Sequence, residues 1–287
     1  MGRVALRLDA ILGFILSHPM NRSRPLAALG RFVGWQLRSR LQDEVVVPWI
    51  GGARLAVKRG MTGATGNVYC GLHEFTEMGF LTHLLRPGDL FLDIGANVGS
   101  YSVLASRTCG ARTIAFEPDP GTAQALRRNI ALNGLESLVT VEETALGPTN
   151  GETRFTVGRD TVNRIAADDE AARVVPMRRL DDVTGAGAPT MIKLDVEGFE
   201  AEVIEGGARV LSAPSLLAIQ TELDTPEIRE KFAGLGFGAM YYDPFTRTLA
   251  EEPLGYRVSN MLYVREPQAV RDRLAAAPHR TLNGVRL

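Results

Sequence analysis

An α/β fold built on a doubly wound sheet, closed by an antiparallel hairpin and preceded by a helical cap, is what these 287 residues predict. Three observations carry that prediction. Residues 90–94 (LFLDI) make an apolar strand that runs straight into a turn carrying Gly95 and Gly99. From there to residue 222, short apolar runs alternate with helix-length segments, the pattern of strands covered on both faces and joined by crossover helices. Two late apolar runs, 240–243 and 258–264, lie close together and read as an antiparallel pair at the sheet edge.

Taken in order, Leu6, Ile11, Leu12, Ile15 and Leu16 recur at helical spacing, residues 18–25 break the pattern, and a second helix is expected over 26–41. Strands over 44–49 and 53–58, joined at Gly51 and Gly52, form a hairpin-like entry. A glycine-rich segment, 60–71, leads into His73, Glu74 and Phe75 and then into a helix ending near Pro87 and Gly88. After the 90–94 strand come a helix over 100–107, a strand over 112–116, a helix over 120–132 opened by Asp119 and Pro120, and a strand over 139–142.

Residues 151–157 and 173–179 read as an inserted antiparallel pair. The polar stretch between them, with Asn163 and the acids Asp168 to Glu170, is expected to shape the substrate side. A strand over 190–196, a helix over 199–211 and a strand over 216–222 resume the core pattern. The last ~20 residues read as peripheral. The expected organisation is a basic helical extension (1–43), a catalytic domain (44–265) and a C-terminal tail (266–287).

With 45% hydrophobic and 23% charged residues, the chain fits one α/β domain with additions rather than two full domains. A net charge of −1 and an aromatic content of 7% with no basic-aromatic stripe argue against nucleic acid as a bulk partner. The balance hides an asymmetry: residues 1–42 hold seven arginines and a single acid, Asp9, a net +6. A solvated helix face accounts for this, as does weak contact with anionic lipid at an inner membrane face. Cys70 and Cys109 form no CxxC pair and stand near no spaced histidines, so neither a disulfide framework nor a zinc site is expected. The apolar run 10–16 is shorter than the ~20 residues a bilayer span takes, and no small-residue cleavage site follows it, so the expected location is the cytoplasm.

The 90–102 block (LFLDIGANVGSYS) is a nucleotide-cofactor loop: an acid, Asp93, at the carboxyl end of a buried strand, then glycines that let the backbone turn and approach a ligand. Glu117 follows 24 residues after Asp93, at the end of the next strand, where an acidic group accepts hydrogen bonds from ribose hydroxyls. A dinucleotide site wants a third glycine where Asn97 stands. An acid ahead of the loop repels a pyrophosphate and suits a cofactor with a cationic amino end, such as S-adenosylmethionine. Two other readings stay open on these residues: an NAD-dependent oxidoreductase using the same loop, and a non-catalytic binding module.

Three blocks, LFLDIGANVGSYS (90–102), IAFEPDPGTAQALRRNIALN (114–133) and MIKLDVEGFEAEVIEGG (191–207), give the chain its resemblance to the FkbM family of S-adenosylmethionine-dependent methyltransferases. Shorter echoes stand at 69–74 and 144–147, and the likeness covers about residues 65–265. The resemblance implies a class I, Rossmann-like fold and methyl transfer to a hydroxyl of a saccharide, glycolipid or secondary metabolite. It also implies cofactor contacts from Asp93, Gly95, Asn97, Gly99 and Glu117, and a place near adenine for Glu143.

Transfer to an alcohol calls for a base that removes the hydroxyl proton, worth about 10²- to 10⁴-fold. Asp195 ends the 190–196 strand where open α/β sheets bind ligands, and Glu197 follows in the loop. Either is expected as the base, with His73 as the alternative and Glu74, Lys193 and Glu222 as positioning groups. Asp195, Glu197 and Glu222 could also converge on a divalent cation, although no metal site is fixed by their spacing.

Overall fold

The computed structural model describes residues 2–156, 165, 171–183 and 185–287, with side chains from residue 8 onward. The stretch containing Asn163 and Asp168 to Glu170 lies outside the described residues. Five parallel strands form the centre of the main sheet: β3 (Leu90–Ile94), β4 (Arg112–Phe116), β5 (Val139–Glu142), β9 (Met191–Leu194) and β10 (Ala218–Thr221). β11 (Gly238–Asp243), β12 (Thr248–Ala250) and β13 (Met261–Val264) complete the order β12-β11-β13-β10-β9-β3-β4-β5. β13 inserts between β10 and β11 and runs antiparallel to both, so the expected hairpin closes the sheet by invasion. This is the expected doubly wound, Rossmann-like sheet, with its reversal of strand order between β3 and β9.

Every residue of β3, β9 and β10 is buried, as strands covered on both faces must be. Their two-residue period feeds two cores. Leu90, Leu92, Ile94, Ile192, Leu194 and Ile219 join one; Phe91, Met191, Ala218 and Ala115 join the other. The register sets Asp93 opposite Lys193, and Lys193 opposite Gln220, so a buried acid and a buried lysine share one face.

α1 (Gly2–Ser17) and α2 (Pro25–Leu41) form the expected cap, followed by the antiparallel pair β1 (Val45–Pro48) and β2 (Arg54–Val57). Where the glycine-rich segment stands, the structure has a helix, α3 (Thr62–Cys70), ahead of the fully buried α4 (Phe75–Leu84). Gly66 answers to packing: a Cβ there would lie 2.0 Å from His73 Nδ1. The helix after β3 begins as α5 (Ser100–Val103) and widens into a π-turn over Leu104–Thr108. Asp119 caps α6 (Pro120–Leu132), its carboxylate accepting from Thr122 N at 2.8 Å.

The predicted 199–211 helix is two, α7 (Glu200–Glu205) and α8 (Ala208–Leu211). They part at Gly206, whose place against Gly147 O leaves no room for a Cβ. α9 (Pro226–Gly234) follows β10. β6 (Ala145–Leu146), β7 (Gly151–Thr156) and β8 (Ala172–Arg178) form a small sheet in which β7 and β8 are the expected antiparallel pair. The C-terminal segment is not peripheral. α10 (Pro267–Ala275) buries Val270 and Leu274, and the hairpin β14 (Thr281–Leu282) with β15 (Val285–Arg286) delivers Leu282 and Leu287 to the main core. No helix among the described residues is long and apolar enough to cross a membrane.

Candidate active site

A cavity of about 300 Å³ opens at the carboxyl ends of the parallel strands, at the reversal between β3 and β9. That is where open α/β sheets place their ligands. Its lining comes from turns after four strands: Gly95 and Asn97 after β3, Glu117 after β4, Asp195 and Glu197 after β9, and Glu222 after β10. His73 and Glu74, from the loop before α4, line the same space, as does Lys193 from β9 itself.

The turn after β3 is held from below. The amides of Gly95 and Ala96 both donate to Phe116 O, at 3.1 and 2.9 Å. Gly95 has φ +78°, and a Cβ there would lie 1.8 Å from Asp195 O, so only glycine lets the first and fourth core-strand turns touch. Asn97 has φ +50° and accepts the Val98 amide on its own side chain at 2.7 Å. Asparagine tolerates that left-handed turn by this local bond, which explains its presence in place of a glycine. Asn97 N in turn donates to Glu117 Oε2 at 3.0 Å, while Asp119 N donates to Oε1 at 3.0 Å. Burial nevertheless pushes the Glu117 carboxyl up to about 7, against those two bonds, which favour its charged form.

Asp93 departs from expectation. Strand alternation puts its side chain on the Phe91 face, wholly enclosed beneath α5, where Oδ2 accepts from Ser102 Oγ at 2.6 Å. It is not part of the cavity lining and supports the turn from behind. Burial raises its pKa, with Lys193 and the Ser102 hydroxyl opposing. Gly99, also off the lining, packs on Leu126, whose Cδ1 would meet a Cβ at 2.3 Å. Glu143 faces away and pairs with Arg127.

Across the cavity, Lys193 Nζ donates to Asp195 Oδ2 at 2.6 Å and sits 4.9 Å from the centre of the Tyr101 ring. Burial opposes the ammonium charge, but the Asp195, Asp93 and Glu74 carboxylates outweigh it and hold the pKa above the usual lysine value. Carboxylate oxygens of Asp195, Glu197 and Glu222 lie within 4.8 Å of one another. Partial burial and the charges of Asp195 and Glu197 push Glu222 up to about 7. This cluster can receive a proton near neutrality, and its spacing would also suit a divalent cation. Glu197 has φ +53°, so the loops after β3 and β9 each bring a non-glycine residue in a left-handed conformation to the cavity.

The His73–Glu74 loop is tied on three sides. His73 N donates to Asn67 Oδ1 at 2.8 Å, and its Nδ1 rests against Gly66 without a hydrogen-bond partner among the described residues. Burial lowers the His73 pKa, with Glu74 opposing, which favours the neutral ring. Glu74 accepts from Tyr101 Oη at 2.5 Å and from Asn260 Nδ2 at 3.4 Å. Tyr101 and Asn260 were not singled out by sequence. Tyr101 sits inside the 90–102 block, where a bulky aromatic next to a helix-starting serine was the available signal; Asn260 offered none.

A family model for the methyltransferase FkbM domain matches residues 93–257, more than half of the chain. The chain belongs to the FkbM methyltransferase family. The sheet of this FkbM-family chain, with β13 inserted antiparallel, accords with that membership and not with the dehydrogenase reading. Similar curated proteins include the 31-O-demethyl-FK506 methyltransferase FkbM of Streptomyces tacrolimicus, 34% identical over 110 residues (37% of this chain, 42% of the relative). The hexuronic acid methyltransferase AglP of Haloferax volcanii is 24% identical over 144 residues (46% and 55%). The ribosomal protein L11 methyltransferase of Syntrophomonas wolfei is 28% identical over 112 residues (38% and 35%). The chain thus spans 35–55% of the length of these relatives. Among solved structures, methyltransferase FkbM from Methylobacillus flagellatus aligns with a TM-score of 0.44 at 17% identity, covering 70% of this chain and 52% of that one.

The methyl donor of the FkbM family is S-adenosylmethionine. The cavity fits it in two respects: a buried carboxylate, Glu117, stands on the lining, and the turn beside it is kept open by Gly95 and Asn97.

Proposed function

We propose that this chain transfers a methyl group from S-adenosylmethionine to a hydroxyl of a saccharide, glycolipid or secondary-metabolite acceptor. The observation that carries the proposal is the division of the cavity. The Glu117 carboxylate stands on one side and the Asp195, Glu197 and Glu222 carboxylates on the other, all at the switch point of the sheet. Glu117 accepts the ribose hydroxyls, and the Gly95–Asn97 turn carries the amino-acid end. The donor sulfonium is already activated, so the protein holds acceptor and methyl in line and excludes water.

The acceptor proton goes to the carboxylate cluster as the C–O bond forms and the methyl C–S bond breaks, the sulfur leaving as a neutral thioether. Asp195 is the base nearest the core, and Lys193 fixes its orientation through the 2.6 Å bond. Glu222, with a pKa of about 7, shares the proton. Glu74 and His73 position the acceptor from the facing loop. The names of the hexuronic acid and FK506 enzymes support an oxygen acceptor.

Calorimetry with S-adenosylmethionine and NAD, each alone, tests the donor: saturable binding is expected for the first, and binding of NAD alone would overturn the reading. Mass spectrometry of glycans and metabolites from cells with and without the protein then identifies the acceptor as a species gaining one methyl.

A further inference from the structure

α2 carries two apolar faces, and only one of them has a use inside the protein. Ala28, Phe32, Trp35 and Ser39 turn inward and are buried. Leu26, Val33, Leu37 and Leu41 recur at intervals of seven, four and four, which places them along a single stripe on the opposite side. All four are exposed, at 82, 53, 60 and 85%. On α1, Leu8, Ile11 and Leu16 are exposed as well, at 44, 39 and 41%. Single exposed leucines are ordinary, but a stripe along a helix about 25 Å long is not.

The charge around the stripe is positive. Residues 1–42 hold seven arginines against one acid, in a chain whose total is −1. Arg22 donates to Ser17 O, Arg38 to Val46 O, Arg40 to Gln36, and Arg31 to Tyr69 O and Asn21 Oδ1. Those partners are uncharged oxygens, so the cationic field of the cap persists. Asp43 follows the helix, and Glu44 beyond it is spent on Arg128, at 3.1 Å. An apolar stripe on a cap with a net positive charge, with Arg38 and Arg40 exposed on the same helix, complements an anionic lipid surface: acyl chains receive the leucines and headgroups receive the guanidiniums.

We propose that α2 lies flat on an anionic membrane surface through Leu26, Val33, Leu37 and Leu41, making the cap an interfacial anchor. The anchor is coupled to the cavity wall. His18, in the turn between α1 and α2, bonds through Nε2 to His73 O at 3.1 Å, and the Phe14 ring meets the His73 ring edge-on at 5.4 Å. The proposal is independent of the methyl-transfer reading.

The test is co-sedimentation of the full chain with vesicles of phosphatidylcholine alone and with vesicles containing phosphatidylserine. Binding to the anionic vesicles that weakens as salt rises is expected, with little binding to the neutral ones. The double variant Val33→Glu/Leu37→Glu should bind the anionic vesicles about tenfold more weakly or worse, with an unchanged thermal melt, because both positions face solvent. No binding to anionic vesicles, equal binding to neutral ones, or undiminished binding by the double variant would each overturn the proposal. So would a dimer in sedimentation velocity that the double variant splits while vesicles capture neither form, since the stripe would then cover a second copy of the chain.

Discussion

Lys193 Nζ lies 2.6 Å from Asp195 Oδ2, and the strand register sets the same lysine beside Asp93. One buried cation therefore serves two carboxylates in unlike places: Asp93, sealed behind the Gly95 turn, and Asp195, on the cavity. Removing it leaves both acids without their counter-charge. Lys193→Met is expected to destabilise the fold by about 3–5 kcal/mol in urea titration, the range for breaking a buried pair from one side. A loss below about 1 kcal/mol would show that the pair is screened by solvent.

Gly95 and Gly134 both have positive φ, +78° and +63°, but differ in surroundings. A Cβ on Gly95 would strike Asp195 O, whereas nothing lies within 4 Å of one on Gly134. Gly95→Ala should abolish donor binding in calorimetry and cost about 3 kcal/mol or more, because the turns after β3 and β9 must separate. Gly134→Ala should cost about 1 kcal/mol, the conformational penalty alone. Equal costs would contradict the packing account.

The Glu117 carboxyl has a folded pKa of about 7 against an ordinary value of 4.5. Above pH 4.5 the unfolded chain has released this proton while the folded chain still holds it, so the group's contribution to stability is present at low pH and fades as pH rises to 7. Glu117→Gln has no such group. Its stability relative to the parent should climb by up to about 3 kcal/mol across that window in donor-free urea titrations. A pH-independent difference would place the folded pKa near 4.5.

Donor affinity should run the other way. Ribose hydroxyls donate to the ionised carboxylate, so binding of S-adenosylmethionine should weaken by up to about tenfold per pH unit below 7 and level off above it. Glu117→Gln should flatten this profile and bind more weakly at pH 8. An unchanged profile in the variant would take Glu117 out of the donor site.

With the acceptor in hand, Asp195→Asn should lower kcat by about 10²- to 10⁴-fold while leaving the donor dissociation constant within a few-fold. Full activity would remove Asp195 as the base and leave Glu222 or Glu197 in that role.

Local pattern carried a great deal of this molecule. The apolar runs at 90–94 and 191–194, each interrupted by a single charged residue, specified strands covered on both faces, and the helix start at Pro120 and the glycine turn at Gly95 were written in residues whose backbone preferences are strong. The meeting of the Gly95–Asn97 turn and Glu117 on the cavity lining was legible for the same reason: they sit within one βαβ unit, where spacing along the chain becomes distance in space. Family motifs added the FkbM membership that the domain match bears out.

Tertiary structure decided what depends on contacts distant in sequence. Composition alone hid the helix at α3, because Gly66 is kept small by His73 seven residues on. The break at Gly206 depends on Gly147, the Glu74 bond to Asn260 joins residues 186 apart, and the C-terminal hairpin is drawn into the main core. Asp93 shows the division most plainly. The sequence determined that an acid ends the strand; only the alternation of the pleat and the closure of α5 above it decided that the carboxylate is sealed behind the turn, bonded to Ser102 and balanced by Lys193. Spacing reports which residues are near one another along a strand, whereas burial and counter-charge arise only when separate strands are brought side by side.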